Sequence, residues 1–325
     1  MTRLLRLAVL PLALSAQAED HLVFAGGDGP GKGKHVVLLA GDEEYRSEEA
    51  MPQMAKILAK HGFTCTVLFS LAADGTIDPT AGASLSNPAA LDRADAIMMS
   101  LRFRNWSDEA FKHFEGAFHR GVPIIALRTS THAFNLKNKE SPYYKYTWNN
   151  KDPAWQGGFG KQVLGETWVS HWGKHKGEAT RGVIEPANRD HPLLRGVADV
   201  FGDTDVYEVR LPQDAVVLLR GQVVAGMKPT DPPVEGKKNA PMMPVAWTRE
   251  YKNAAGTVNK VFCTTLGSSS DLASEDLRRL LVNSVYWGLG LDIPAKADAA
   301  VVGDFKPTFY GFGTWKKGVH PADLK

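Results

Sequence analysis

Apolar and polar positions follow two periods along the first 130 residues: short continuous runs of aliphatic and β-branched residues alternate with stretches apolar at every third or fourth position. The runs at 35–40, 63–69, 94–100 and 122–127 have no regular polar face, which predicts strands covered on both sides. Between the first two, Met51, Met54, Ala55 and Leu58 mark a helix. A second helix carries Phe111, Phe114 and Phe118 on one side, with Ser107 as its cap, Asp108 and Glu109 in its first turn, and Gly121 at its end. Residues 71–88 form a polar loop. Strands and helices in alternation with short turns predict an α/β domain with a mostly parallel sheet and helices on both faces. Strand-like runs return at 180–184, 205–211, 216–219, 243–249 and 260–266, and Ser274 opens a last helix with Leu277, Leu280, Leu281 and Val285 inward.

Three stretches lack any period. Residues 19–34 contain a glycine-rich run without the Lys-Ser/Thr ending of a phosphate loop, so they are expected as a flexible lead-in. Residues 136–177 are an aromatic insertion into the domain, which spans 35–293, and 294–325 are expected as a surface strap. The first 18 residues combine Arg3 and Arg6, an apolar stretch from Leu7 to Leu14 and the small-x-small pattern Ala16-Gln17-Ala18. That is the layout of a cleavable signal peptide, so export to the periplasm or beyond is expected. The apolar stretch is too short to span a bilayer, and no later one is longer.

Of the 325 residues, 43% are hydrophobic and 23% charged, enough to bury a large core. A formal net charge of +2, with no basic stripe interleaved with aromatics, argues against nucleic acid as a partner. Cys65 and Cys263 both lie in apolar, β-branched runs and read as core thiols; an oxidising compartment leaves a disulfide open.

In an open parallel sheet, groups just past the strand ends converge on one crevice. Here those groups are Asp42, Glu43, Glu44 and Arg46 after the first strand, Arg102 and Arg104 after the third, and Arg128, Thr129, Ser130 and His132 after the fourth. The insertion adds Glu166, His171 and His175, with Trp148, Trp155, Trp168 and Trp172 as flat faces suited to sugar rings or to lid packing. His132, His171, Glu43 and Glu166 are the acid/base candidates; Asp42, Glu44, Arg46, Arg104, Arg128, Thr129, Trp168 and Trp172 are candidates for holding substrate. His132, His171 and His175 are candidate ligands for a divalent metal, the last two at a four-residue spacing that Gly173 and Gly177 make doubtful as a helix. His132 and His171 are expected to face one pocket with a residue of segment 42–46.

Gly41-Asp-Glu-Glu-Tyr-Arg-Ser-Glu-Glu49, Arg128-Thr-Ser-Thr-His-Ala-Phe134, His191-Pro-Leu-Leu-Arg-Gly196, Pro244-Val-Ala-Trp-Thr248 and the run from Val261 to Gly267 resemble the ThuA-like (trehalose-utilisation) family of the class I glutamine amidotransferase-like superfamily. The segments 157–168 and 232–239 look like a secreted, planctomycete-type subgroup. The resemblance implies a flavodoxin-like three-layer sandwich and a role near carbohydrate metabolism. Amidotransferases carry a cysteine at the elbow and a His-x-Glu near the last strand, whereas this chain has Thr129 or Ser130 and then Gly267-Ser-Ser-Ser-Asp271, so glutamine hydrolysis is not expected. Two functions stay in view: an exported hydrolase, lyase or isomerase acting on a sugar or oxidised keto sugar, and a non-catalytic carbohydrate-binding protein using the same crevice. A homo-oligomer stays open as an assembly state.

Overall fold

The computed structural model describes residues 19–325; the expected signal peptide, residues 1–18, lies outside them. Ten strands form one sheet. They are β1 (Leu22–Phe24), β2 (His35–Gly41), β3 (Thr64–Phe69), β4 (Ala96–Leu101), β5 (Ile124–Leu127), β6 (Thr180–Ile184), β7 (Val200–Gly202), β8 (Val216–Val223), β9 (Met243–Lys252) and β10 (Val258–Thr264). Three α-helices accompany them: α1 (Ser47–Lys60), α2 (Asp108–His119) and α3 (Glu275–Leu289). The order across the sheet is β1-β3-β2-β4-β5-β10-β9-β8-β6-β7.

The centre, β3-β2-β4-β5-β10, is parallel throughout. Numbered among themselves, these five strands run 2-1-3-4-5, the flavodoxin-like order. The expectation of a mostly parallel sheet is nevertheless corrected, because β1 and the wing β9-β8-β6-β7 all pair antiparallel. Periodicity shows that a run is a strand, not which way it points. The 205–211 run is not a strand either; the edge strand β7 lies just before it. The lead-in at 19–34 contributes β1, which pairs with β3 from Leu22↔Val67 to Phe24↔Cys65.

Layering follows from the strand pattern. Along β2, Val36, Leu38 and Ala40 join α1 and α3 in one core, while Val37 and Leu39 join α2 in the other, which is why the whole strand is apolar. Both expected caps form: the Ser107 and Ser274 hydroxyls each accept from the backbone N–H three residues on, at 3.3 Å. Cys65 and Cys263 are unpaired and buried. They sit on β3 and β10, four strand steps and thus roughly 19 Å apart, beyond any disulfide.

The aromatic insertion has a packing role that its sequence did not disclose. Tyr143 stacks on Phe111 of α2 at 5.3 Å and Phe159 meets Phe114 edge-on at 5.5 Å, so about half of the segment completes the α2 core. The C-terminal strap is tied to the start of α1. There Arg46 donates to the Gly311 carbonyl at 3.1 Å, and the Thr308 N–H donates to Glu49 at 2.7 Å.

Glu48 lies under this tie with both carboxylate oxygens buried and without a hydrogen-bond donor. Burial pushes its carboxyl up to about 7 although Arg46 opposes the shift. A raised pKa in the folded state means stability that is full below the unfolded value, near pH 4.5, and lost as pH rises through about 7. Relative to Glu48→Gln, the wild-type protein is therefore expected to lose roughly 2 kcal/mol between pH 5 and pH 8. Urea unfolding of both proteins across that range tests this, and parallel profiles would refute it.

Candidate functional site

Three turns at the carboxyl ends of β2, β4 and β5 build the site, and each has one residue in the left-handed region. After β2, the Asp42 carboxylate accepts the N–H groups of Glu44 at 2.7 Å and Tyr45 at 2.9 Å, and Arg46 turns with φ 58°. After β4, Phe103 turns with φ 52°, and its N–H donates to the His132 carbonyl at 3.1 Å, stitching this turn to the next. After β5, Arg128 has φ 46° and starts the short helical turn Arg128–His132.

Between these turns lies a crevice of about 280 Å³. Glu44 and Tyr45 come from the first turn, Arg102 and Phe103 from the second, and His132 from the third; Trp148, Trp168 and His171 reach in from the insertion, and Tyr207 closes the floor. This is the switch point of the parallel sheet, where chains after β2 and β4 part to opposite faces. His132 and His171 thus share one pocket with Glu44, the arrangement expected from the sequence. Larger cavities of about 570 Å³ beside Asp203 and Arg279, and about 610 Å³ beside Asn150 and Glu166, lack this convergence of strand-end groups.

Behind the crevice sits a buried ion pair. The Arg128 guanidinium, fully buried, donates to the Asp205 carboxylate at 2.8 Å, to the carbonyls of Asp205 and Thr265, and to the Tyr45 hydroxyl. It lies 3.8 Å from the Tyr207 ring centroid and 4.7 Å from that of Tyr45. On the solvent side, Asp205 takes His171 Nδ1 at 2.7 Å and His175 Nδ1 at 3.1 Å. His175 Nε2 in turn lies 3.2 Å from Glu44 Oε1. Burial alone would raise the Asp205 carboxyl, but Arg128 and the two imidazoles hold it well below the usual carboxylate range. Burial and the neighbouring Asp42 raise that of Glu44. Burial, with the charges of Arg102 and Arg128, keeps the His132 imidazole well below the usual histidine range, so it is neutral at pH 7.

A family model described as ThuA, trehalose utilisation, matches residues 35–288. The chain belongs to the ThuA family. That membership gives it a carbohydrate-related setting. No curated protein matches the chain in sequence. Among solved structures, a ThuA-like protein from Parabacteroides merdae is similar at 14% identity and a TM-score of 0.49, over 86% of this chain and 98% of that one. One from Bacteroides uniformis gives 14% and 0.47 over 80% and 92%. The glutaminase domain of Trypanosoma brucei CTPS gives 11% and 0.37 over 82% and 98%.

In this ThuA-family chain the strained turn after β5 holds an arginine where a nucleophile elbow holds its nucleophile. The Thr129 hydroxyl donates to the Asp42 carboxylate and that of Ser130 to the Met99 carbonyl at 2.9 Å, so neither is paired with a histidine as in a catalytic triad.

Several candidate residues stand elsewhere than expected. Glu43 lies outside the crevice wall, its carboxylate held by Arg102 and by Arg104, which is 2.8 Å away. Arg104 is buried and also spans to the Pro79 carbonyl at 2.9 Å. Glu166 is 2% exposed and holds Lys161 at 2.8 Å and the Arg210 N–H at 2.9 Å, fastening the insertion rather than facing His132. Trp172 donates to the Lys238 carbonyl at 2.9 Å and packs on the α1/α3 core, so of the two candidate tryptophans only Trp168 lines the crevice. All four of Asp42, Arg46, Arg128 and Thr129 are buried: Asp42 and Thr129 bond within the turns, Arg46 reaches the Gly311 carbonyl, and Arg128 is bonded to Asp205 and Thr265.

Trp148, one of the flat faces expected from the sequence, lines the crevice, whereas Asp205, Tyr45, Phe103 and Tyr207 belong to the site but were not among the candidates. A carboxylate at the start of the alternating run 205–211 was the available signal for Asp205. His171 and His175 meet without a helix: the N–H groups of Trp172 and Gly173 both bond the Val206 carbonyl, laying the loop across Asp205.

Proposed function

We propose that this ThuA-family protein acts on a sugar or oxidised keto-sugar derivative held in the 280 Å³ crevice, with His132 and His171 as the proton-transferring groups and Glu44 as the carboxylate that lines the same crevice. The observation that carries the reading is the meeting of two imidazoles and a carboxylate in one crevice that Trp148, Trp168 and Phe103 also line. The volume is near the lower end of the roughly 300–1,000 Å³ of small-molecule sites, room for one sugar ring at a time. His132 is neutral at pH 7, and its Nδ1 lies 3.1 Å from the Thr131 hydroxyl. Glu44 takes the part assigned to Glu43 by sequence, since the turn at Arg46 sends Glu43 to the arginines. Export is part of the proposal, supported by the arginines, apolar stretch and small-x-small site of residues 1–18.

The test is NMR-monitored incubation of the purified protein with disaccharides and their keto derivatives, with and without divalent metal. Turnover is expected, falling about 100-fold or more in His132→Ala and in His171→Ala. Saturable binding without turnover would replace the enzyme by a carbohydrate-binding protein. That second reading draws on how many of the charged groups, Glu43 and Asp205 among them, are already engaged by arginines. Neither binding nor turnover would overturn both.

A further inference from the structure

We infer that His171, His175 and Asp205 form a binding site for one divalent transition-metal ion. Ligating atoms of the three residues lie within 4.8 Å of one another. More tellingly, Asp205 oxygens stand 2.7 Å from His171 Nδ1 and 3.1 Å from His175 Nδ1. Neighbouring ligands bound at about 2.0–2.2 Å from one ion are themselves separated by roughly 3 Å, so this spacing matches a coordination edge.

The surroundings suit a cation as well. Asp205 is buried and anchored from behind by Arg128, which fixes the carboxylate and leaves its other side to the imidazoles. His175 presents Nε2 to Glu44 Oε1 at 3.2 Å, so with Nδ1 on a metal it would have the carboxylate–histidine arrangement that orients a ligating ring. The backbone is shaped for the same purpose. A Cβ on Gly173 would come within 3.2 Å of the Asp205 Cβ, so glycine lets the loop bearing both histidines lie directly on the carboxylate.

The donor set selects the class of ion. Two imidazoles and one carboxylate favour zinc, manganese, iron, cobalt or nickel over magnesium or calcium, which prefer all-oxygen shells. The imidazole side chains are 38% and 28% exposed while the carboxylate is fully buried, so an ion would enter from the solvent side. Three protein ligands leave at least one position open, and His171 lines the crevice, so that position would serve the crevice's ligand. A keto or hydroxyl oxygen is the group such an ion would orient and polarise; with an ion bound, His171 would act as a ligand and the proton transfer assigned to it above would fall to His132 and Glu44. This last step rests on the carbohydrate reading; the ion site itself does not.

The experiment is equilibrium dialysis of tag-free, EDTA-stripped full-length protein against Zn²⁺ and Co²⁺, with metal counted by mass spectrometry and the cobalt form read by visible absorption. One equivalent per chain is expected, with a cobalt ligand-field band. Affinity should fall about 100-fold or more in His171→Ala and His175→Ala and about 10-fold in Glu44→Gln. His113→Ala, which alters a surface histidine paired with Asp92, should bind like wild type. No stoichiometric binding, or binding that survives both His171→Ala and His175→Ala, would overturn the inference. Circular dichroism on each variant separates ligand loss from misfolding. Metal binding with neither sugar turnover nor sugar binding in the separate NMR assay would leave the ion site standing and remove the carbohydrate reading.

Discussion

Asp205→Asn is expected to destabilise the protein by roughly 3–5 kcal/mol and to abolish ligand binding in the crevice. The substitution removes the charge facing a guanidinium with no exposed surface, and an uncompensated buried charge is the costly half of any broken ion pair. It also gives the side chain an amide donor among groups that already donate. Arg128 Nη2 and His175 Nδ1 both converge on Oδ1, so an amide N–H there would face the guanidinium, while one at the Oδ2 position would hold His171 in the tautomer with an accepting Nδ1. The two histidines would lose their common carboxylate anchor. Pairing the change with Arg128→Met separates these effects. Removing both charges should recover at least about 1 kcal/mol of the stability lost in Asp205→Asn, because no buried charge is then orphaned, while crevice binding stays lost. Urea unfolding of wild type, both single variants and the double variant supplies the cycle; additive losses would show that the pair is not a unit.

Gly160→Ala is expected to cost about 3 kcal/mol and to displace His132 even where the fold survives. A Cβ at this position would fall 1.8 Å from the Thr131 carbonyl oxygen and 3.0 Å from that of Glu166. Both obstacles are backbone, so no rotamer change relieves them. The insertion must lift off the turn Arg128–His132, opening the wall between Trp168 and His132. Gly27→Ala is the control, since nothing lies within 4 Å of its added methyl group, and it should change stability by less than about 0.5 kcal/mol. Thermal unfolding of the two variants checks the contrast; equal melting temperatures would show that the close approach is not needed.

The central strands and all three helices were legible because their signals are local: continuous apolar runs for β2 to β5, helical spacing for α1 to α3, and Ser107 and Ser274 as caps. The antiparallel wing was not, because β6, β8 and β9 read the same in either direction. The site was legible as a place and only partly as a set of residues. Strand-end logic brought His132 and segment 42–46 together, yet it could not choose between Glu43 and Glu44, which one left-handed residue, Arg46, sends to opposite duties. Asp205 escaped because its meaning depends on Arg128, 77 positions away. The spacing of His171 and His175 suggested a helix face, whereas a loop laid over one carboxylate produces the same meeting.

The most direct measurement is a crystal structure of the protein grown with the disaccharide or keto sugar that the NMR assay selects. The expected result is one sugar ring in the crevice lined by Trp148 and Trp168, with an oxygen within hydrogen-bonding distance of His132 or His171. A ring bound instead in the cavity beside Asp203 and Arg279, with the crevice empty, would contradict the assignment of the site.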